Sequence, residues 1–238
     1  MAVKRFDTQR VYVLAVLLTW FSFILVLLAS GKLSVFIRKS YAPVALMSLV
    51  LLAVMALRCG GSDSQESGPV AISLRSFFLF LFPVVLAIVV RPGTLPIMAV
   101  ASRGISTSLA AADNSLLEAL IARAETEGRY KKMNLKQLVS LASASPEKAG
   151  GLLVATEGLV YRKPGDPPGA FMLVRFLITC CAADATPLGI RVESENASQL
   201  KDNTWVLVRG TVSCTGGNSC IVADEVQVVP RPADPYLY

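Results

Sequence analysis

Arg175-Phe176-Leu177-Ile178-Thr179-Cys180-Cys181-Ala182-Ala183-Asp184-Ala185-Thr186-Pro187-Leu188-Gly189 joins two apolar runs through a small-residue turn that carries two adjacent cysteines and one carboxylate. The first run is built of strand formers, and the second leaves through Leu188, Ile190 and Val192 at the same two-residue period. Read as a strand, the first run puts Met172, Val174, Phe176, Ile178 and Cys180 on one face, expected to be the core face. Leu173, Arg175, Leu177 and Thr179 then point the other way. Cys181 meets Cys180 at one site only if the chain bends or bulges there, which Ala182-Ala183-Asp184 permits.

Outward from this stretch the two-residue period persists to the C-terminus. Segments 152–161, 170–180, 188–193, 204–213 and 220–229 are five expected strands, separated by the turn formers of 163–169 and 215–218. Five short strands beside a helix fit a small all-β, OB-like five-stranded barrel over 151–238, with an open β-sandwich as the rival arrangement. Gly210, inside Trp205-Val206-Leu207-Val208-Arg209-Gly210-Thr211-Val212, falls where a barrel strand must bend.

Towards the N-terminus the pattern changes to helical. Asn134 precedes an amphipathic helix carrying Leu135, Leu138, Val139 and Leu141 that ends before Ser145-Pro146. A second amphipathic helix is expected over 115–127, capped by Asp113 or Asn114 and stopped at Gly128. Together with an extended stretch these fill a 93–150 linker region. Their apolar sides are expected to pack on the following domain in preference to a bilayer.

The 238 residues are 53% hydrophobic and only 17% charged, with mean hydropathy +0.56, so membrane spans are the first thing to seek. Residues 11–29 run for roughly 19 positions without a charge, enough to cross about 30 Å of hydrocarbon, and that run is longer than a signal peptide's apolar region. Residues 41–57 read as a second span, with Tyr41 and Arg58 as interfacial anchors and Pro43 in the first turn. Residues 74–90 make a third, bounded by Arg75 and Arg91; the rival is a re-entrant or interfacial helix. Three spans over 1–92 and an N-terminus in the cytoplasm give a multi-pass protein of the cell membrane with an extracytoplasmic C-terminal domain. The lipid bilayer is therefore an expected partner. Nucleic acid is not: the formal charge of +6 is scattered along the chain, and the β region lacks a basic cluster beside stacking aromatics.

No histidine is present, which removes the commonest metal ligand and general base and turns the reading away from hydrolases. Five cysteines remain for chemistry. Cys180, Cys181 and Asp184 admit three readings: a soft or borderline metal ion held by two thiolates and a carboxylate, dithiol redox exchange, or a buried small hydrophobe at Cys180. Cys214 and Cys220 flank a Gly-Gly-Asn turn, where a disulfide fits an oxidising compartment; joining Cys180 and Cys181 in a four-thiolate site is the alternative. Cys59, beside the polar loop 59–68, is assigned no role.

Thr179-Cys180-Cys181-Ala182-Ala183-Asp184-Ala185 and Pro187-Leu188-Gly189, with Glu157-Gly158-Leu159-Val160-Tyr161-Arg162 before them and Asp202-Asn203-Thr204-Trp205-Val206 and Arg209-Gly210-Thr211 after, resemble a family of bacterial permease-subunit proteins. Arg103-Gly104-Ile105 extends the resemblance towards the N-terminus. Members combine N-terminal membrane helices with a C-terminal domain of unknown function and are encoded beside a predicted multi-span permease. The resemblance implies a non-enzymatic accessory subunit of a permease system, with Cys180, Cys181 and Asp184 as the working site and a thiolate-bound metal ion as the one cofactor to consider. The alternative is a membrane-tethered thiol oxidoreductase, or a metal-binding protein acting alone.

Overall fold

The computed structural model describes residues 2–60, 73–90, 95, 97–109, 119, 122–163, 165–195, 197–215 and 218–238, which fold as two units. The first comprises Met1–Gly93 with Cys180–Ala182, the second Thr94–Thr179 with Ala183–Tyr238.

The first unit is helical because its sequence is a succession of apolar runs with few breakers. Helix α1 (Ala2–Ala29) is closed by Gly31 at φ +67°, a left-handed conformation that glycine adopts at little cost. Two 3₁₀ turns lead into α2 (Ala42–Gly60), and α3 is Leu74–Val90. Pro83 lies inside α3, where its ring cannot donate to the carbonyl one turn back. The next carbonyl, that of Phe80, accepts from the Trp20 indole Nε1–H at 3.1 Å, and the Tyr12 and Phe77 rings meet at 5.2 Å. These contacts join α1 to α3.

Among the described residues two helices are long and apolar enough to cross a membrane: Arg10–Ala29, with none of its apolar window buried, and Lys39–Cys59, with 11% buried. The core helix of a soluble domain hides one face; these do not. The third expected span forms as a helix of 17 residues, about 26 Å long at 1.5 Å per residue and shorter than the other two. Within this unit, Cys181 forms an antiparallel bridge with Ile37. The Arg38 N–H donates to the Cys180 carbonyl at 3.1 Å, and the Ala182 N–H donates to that of Phe36 at 2.8 Å.

The second unit is built on a closed five-stranded barrel: β3 (Leu153–Tyr161), β4 (Ala170–Leu177), β5 (Thr186–Glu193), β6 (Trp205–Thr215) and β7 (Asn218–Val228). All five expected strands are present. Their order is β3-β4-β5-β7-β6, and β6 returns to β3 along Leu153↔Thr211 to Leu159↔Trp205, so the five strands close on themselves. The β5–β7 pair is parallel, over Arg191↔Cys220 to Glu193↔Val222, and the other four are antiparallel. At Gly210 the β6–β7 register shifts, so the bend expected there is a bulge.

Ahead of the barrel stand a small hairpin, β1 (Thr126–Glu127) and β2 (Tyr130–Lys132), a short helix α4 (Met98–Arg103), and α5 (Leu135–Ala144) followed by α6 (Pro146–Ala149). Asn134 accepts from the Gln137 N–H at 2.9 Å and Gln137 returns the bond to the Asn134 N–H at 3.0 Å, a capping box that starts α5. Its buried residues Leu135, Leu138, Val139, Leu141 and Ala142 join the barrel core. The helix expected over 115–127, with its caps Asp113 and Asn114, falls mostly outside the described residues, as does most of the 59–68 loop. Its last two positions correct the expectation: Thr126 and Glu127 are strand, turned back at Gly128 with φ +63°.

The two faces of β4 require another correction. Phe171 and Leu173 fill the barrel with Leu188, Ile190, Val206 and Val208. Val174, Phe176 and Ile178, the expected core face, lie in a second cluster outside the barrel with Ile97, Val100, Trp205 and Tyr236. Both faces are thus buried. A segment before the barrel and the C-terminal tail supply the outer cover.

Candidate functional site

Strand β4 stops at Leu177, earlier than its apolar run suggests, because the chain tail pairs there. Ile178 N–H donates to the Leu237 carbonyl at 2.9 Å and Leu237 N–H to that of Phe176 at 2.8 Å. Ile178 is still buried, but Thr179 and Cys180 emerge into solvent. The expectation that Cys180 faces the core is therefore corrected: its side chain lies beyond the end of the strand and is exposed.

The next residues turn back within one 3₁₀ turn, Ala182–Asp184. The Asp184 carboxylate closes the loop on itself by accepting the Thr179 N–H at 3.0 Å through Oδ1. Arg103, the last residue of α4, donates to the Ala185 carbonyl at 2.6 Å and to that of Ala183 at 3.4 Å. The tail at Leu237, the guanidinium of Arg103 and the carboxylate of Asp184 are among the tethers of the turn.

Within it Cys180 Sγ and Cys181 Sγ are 3.6 Å apart, and both lie within 4.8 Å of the Asp184 carboxylate. Cys180 is exposed while Cys181 and Asp184 are half-buried. Two thiols and one carboxylate converge on a point that solvent reaches from the Cys180 side. Deprotonated, such a set offers two soft donors and one hard donor to a cation. The three residues singled out in the sequence are thereby brought together, though by a turn after the strand and not by a bulge within it.

Cys214 and Cys220 are placed otherwise. In the β6–β7 hairpin Cys214 stands opposite Ser219 and Cys220 opposite Ser213. Successive strand residues point to opposite faces, so the two sulfurs project from different sides of the hairpin. The expected bridge is not formed: both are free thiols, and Cys214 Sγ lies 3.4 Å from Ser219 Oγ. Burial, followed by the nearby Glu193 carboxylate, pushes the Cys220 thiol above its ordinary pKa. Among the described residues, the ligand cluster of Cys180, Cys181 and Asp184 includes neither of them, nor Cys59 in the last turn of α2.

Arg103 has no role in the sequence pattern beyond its place in Arg103-Gly104-Ile105. Strand periodicity gives Arg175 a face but no task. Its side chain is 6% exposed; it donates to Glu157 Oε1 at 3.1 Å and to the Asp234 carbonyl, and its guanidinium sits 5.5 Å from the Trp205 ring centre. Burial lowers its pKa, opposed by Glu157 and Asp234, and the residue ties the C-terminal tail to β4. An arginine inside an apolar strand was the available signal.

Comparison with known protein families gives two matches, the DUF1980 N-terminal domain over residues 10–106 and the DUF1980 C-terminal domain over residues 129–238. None of the curated proteins compared matches the chain. The first domain takes in α1 to α4, and the second holds the barrel with the whole Cys180, Cys181, Asp184 turn. The two matches together cover most of the sequence, and the chain belongs to the DUF1980 family.

Proposed function

We propose that this protein is a non-enzymatic accessory subunit of a membrane permease system, anchored by its apolar helices and presenting a thiol site that binds a soft or borderline metal ion. The observation that carries the reading is the convergence of Cys180 Sγ, Cys181 Sγ and the Asp184 carboxylate within 4.8 Å on a solvent-facing turn. Adjacent cysteines serve metal binding better than disulfide exchange, since the ring closed by neighbouring residues is strained and dithiol oxidoreductases space their cysteines further apart. Without histidine the site lacks the commonest general base, which favours binding over catalysis.

Membrane anchoring is supported by the length and apolar character of α1 and α2, of whose apolar windows 0% and 11% are buried, and the sequence resemblance supplies the multi-span permease as partner. The third helix completes a multi-pass anchor that leaves the C-terminal domain outside the cytoplasm. We read the barrel as OB-like, because a five-stranded barrel closed through a parallel pair between its third and fifth strands has that topology.

Metal analysis of the full chain purified in detergent tests the site. About one ion per chain is expected for the parent, and none for a Cys180→Ser, Cys181→Ser variant. Equal metal content in the two would overturn it. The partnership is tested by affinity purification from native membranes: a multi-span permease retained in stable complex supports it, and thiol-disulfide turnover by the purified chain alone would replace it with an oxidoreductase.

A further inference from the structure

The sulfur geometry says more about the ion than its softness. We infer that the turn is built for a four-coordinate divalent cation of zinc type, held by Cys180, Cys181 and Asp184 with one position left open, and not for a two-coordinate monovalent cation of copper(I) type. The inference rests on the metal-site reading above and narrows it to a coordination geometry.

Thiolates bind zinc at about 2.3 Å, so two such bonds ending on sulfurs 3.6 Å apart enclose an angle of about 103°, close to tetrahedral. A linear centre with bonds of similar length would need sulfurs about 4.6 Å apart, roughly 1 Å more than the turn provides. The backbone on either side of the pair is held by the anchoring of the same short loop. The Asp184 Oδ1 bond to the Thr179 N–H fixes its start, and Arg103 on the Ala183 and Ala185 carbonyls fixes its end.

The third donor points the same way. Asp184 accepts the Thr179 N–H through Oδ1, a bond that orients the carboxylate beside the two sulfurs. Carboxylate oxygen suits a divalent borderline cation and is a poor partner for a monovalent soft one. Charge agrees: two thiolates and a carboxylate sum to three negative charges, better offset by a divalent ion at this partly exposed position. Three protein ligands are also the number found where zinc keeps a position for water or an incoming ligand. Exposure of Cys180 leaves room for that fourth ligand to come from solvent or from a partner protein.

The test uses the full chain in detergent, titrated with cobalt(II) as an optical probe, then with zinc(II), and in a separate cell with copper(I). Cobalt should give sulfur-to-metal charge-transfer absorption with the intense visible bands of a tetrahedral centre, displaced by one equivalent of zinc. Asp184→Asn keeps an oxygen for the Thr179 N–H but removes the anionic donor. It should weaken zinc binding by roughly tenfold or more and leave copper(I) binding unchanged. Copper(I) binding to the two thiols without tetrahedral cobalt bands, or zinc affinity indifferent to Asp184→Asn, would overturn the geometry while sparing the thiol site. Failure of all three ions to bind, or equal binding after Cys180→Ser and Cys181→Ser, would remove the site itself.

Discussion

Replacing Gly210 by alanine should open the barrel at its tightest point. A Cβ at this position would lie 2.2 Å from the Val222 carbonyl oxygen and 2.8 Å from the Ala223 Cα, both backbone atoms that no rotamer change can move. Restoring an ordinary contact requires β6 and β7 to separate by about 1 Å, which stretches the neighbouring N–H···O bonds beyond hydrogen-bonding range. Overpacking of about 1–3 kcal/mol, taken at its upper end because the obstacle is backbone, plus about 1 kcal/mol for a lost ladder bond, gives roughly 3–4 kcal/mol. Against a typical stability of about 5–15 kcal/mol that is a large fraction, and at about 2–4 °C per kcal/mol it lowers the melting point by roughly 6–16 °C. Thermal unfolding of the full chain in detergent, followed by Trp205 fluorescence in a Trp20→Phe background, isolates the barrel signal because the chain has only two tryptophans. Gly128→Ala serves as the control. Its φ of +63° strains a side chain, but nothing lies within 4 Å of the new Cβ, so the cost should stay near 1–2 kcal/mol. A melting point for Gly210→Ala within a degree or two of the parent would refute the close β6–β7 approach on which barrel closure depends.

Glu157→Ala should destabilise the chain by about 1–3 kcal/mol, discounted because Glu157 is 39% exposed, since it leaves the buried Arg175 guanidinium without its carboxylate; Glu157→Gln should recover part of the loss. The same melt measures both, and identical melting points across parent, Ala and Gln would contradict the role given to the pair. Iodoacetamide at pH 8 should modify exposed Cys180 before Cys220, because burial and Glu193 raise the Cys220 pKa and so lower its thiolate fraction. Glu193→Gln removes one of those causes and should speed Cys220 labelling, as read by peptide mass mapping; an unchanged rate would count against the assignment.

The five strands were legible because each run keeps a two-residue period between clear turn formers, and α5 because Asn134 and Gln137 announce its cap. What periodicity could not tell was which face of β4 lies inside the barrel. Both faces are apolar and both are buried, the outer one under Ile97, Val100 and Tyr236, residues distant in sequence from the strand they cover. The end of β4 was hidden for the same reason, since Leu237 sets it from sixty residues downstream. The Cys214 and Cys220 spacing misled through parity. The hairpin pairs Thr215 with Asn218, Cys214 with Ser219 and Ser213 with Cys220, so partners between the turn and the bulge stand an odd number of residues apart, and two cysteines separated by six do not face each other there. The β1–β2 hairpin was masked by helix-like spacing just ahead of it.

Double-sided burial of β4 also accounts for where the chemistry lies. A strand packed through Phe171 and Leu173 on one side and Val174, Phe176 and Ile178 on the other has no face left on which to present a polar or charged group. Arg175, the one charged residue within it, is absorbed by Glu157, Asp234 and Trp205 as a structural tie. Reactive side chains delivered by such a strand can appear only past its end, and that is where Cys180 and Cys181 emerge. A loop in that position would ordinarily be mobile, which disperses ligands and weakens binding. Here the same pieces that cover the outer face hold the turn: Leu237 belongs to the tail over β4, and Arg103 ends the helix that contributes Val100 to the outer cluster. Packing and preorganisation therefore share one set of residues, so the order of the thiol turn depends on the burial of the strand before it.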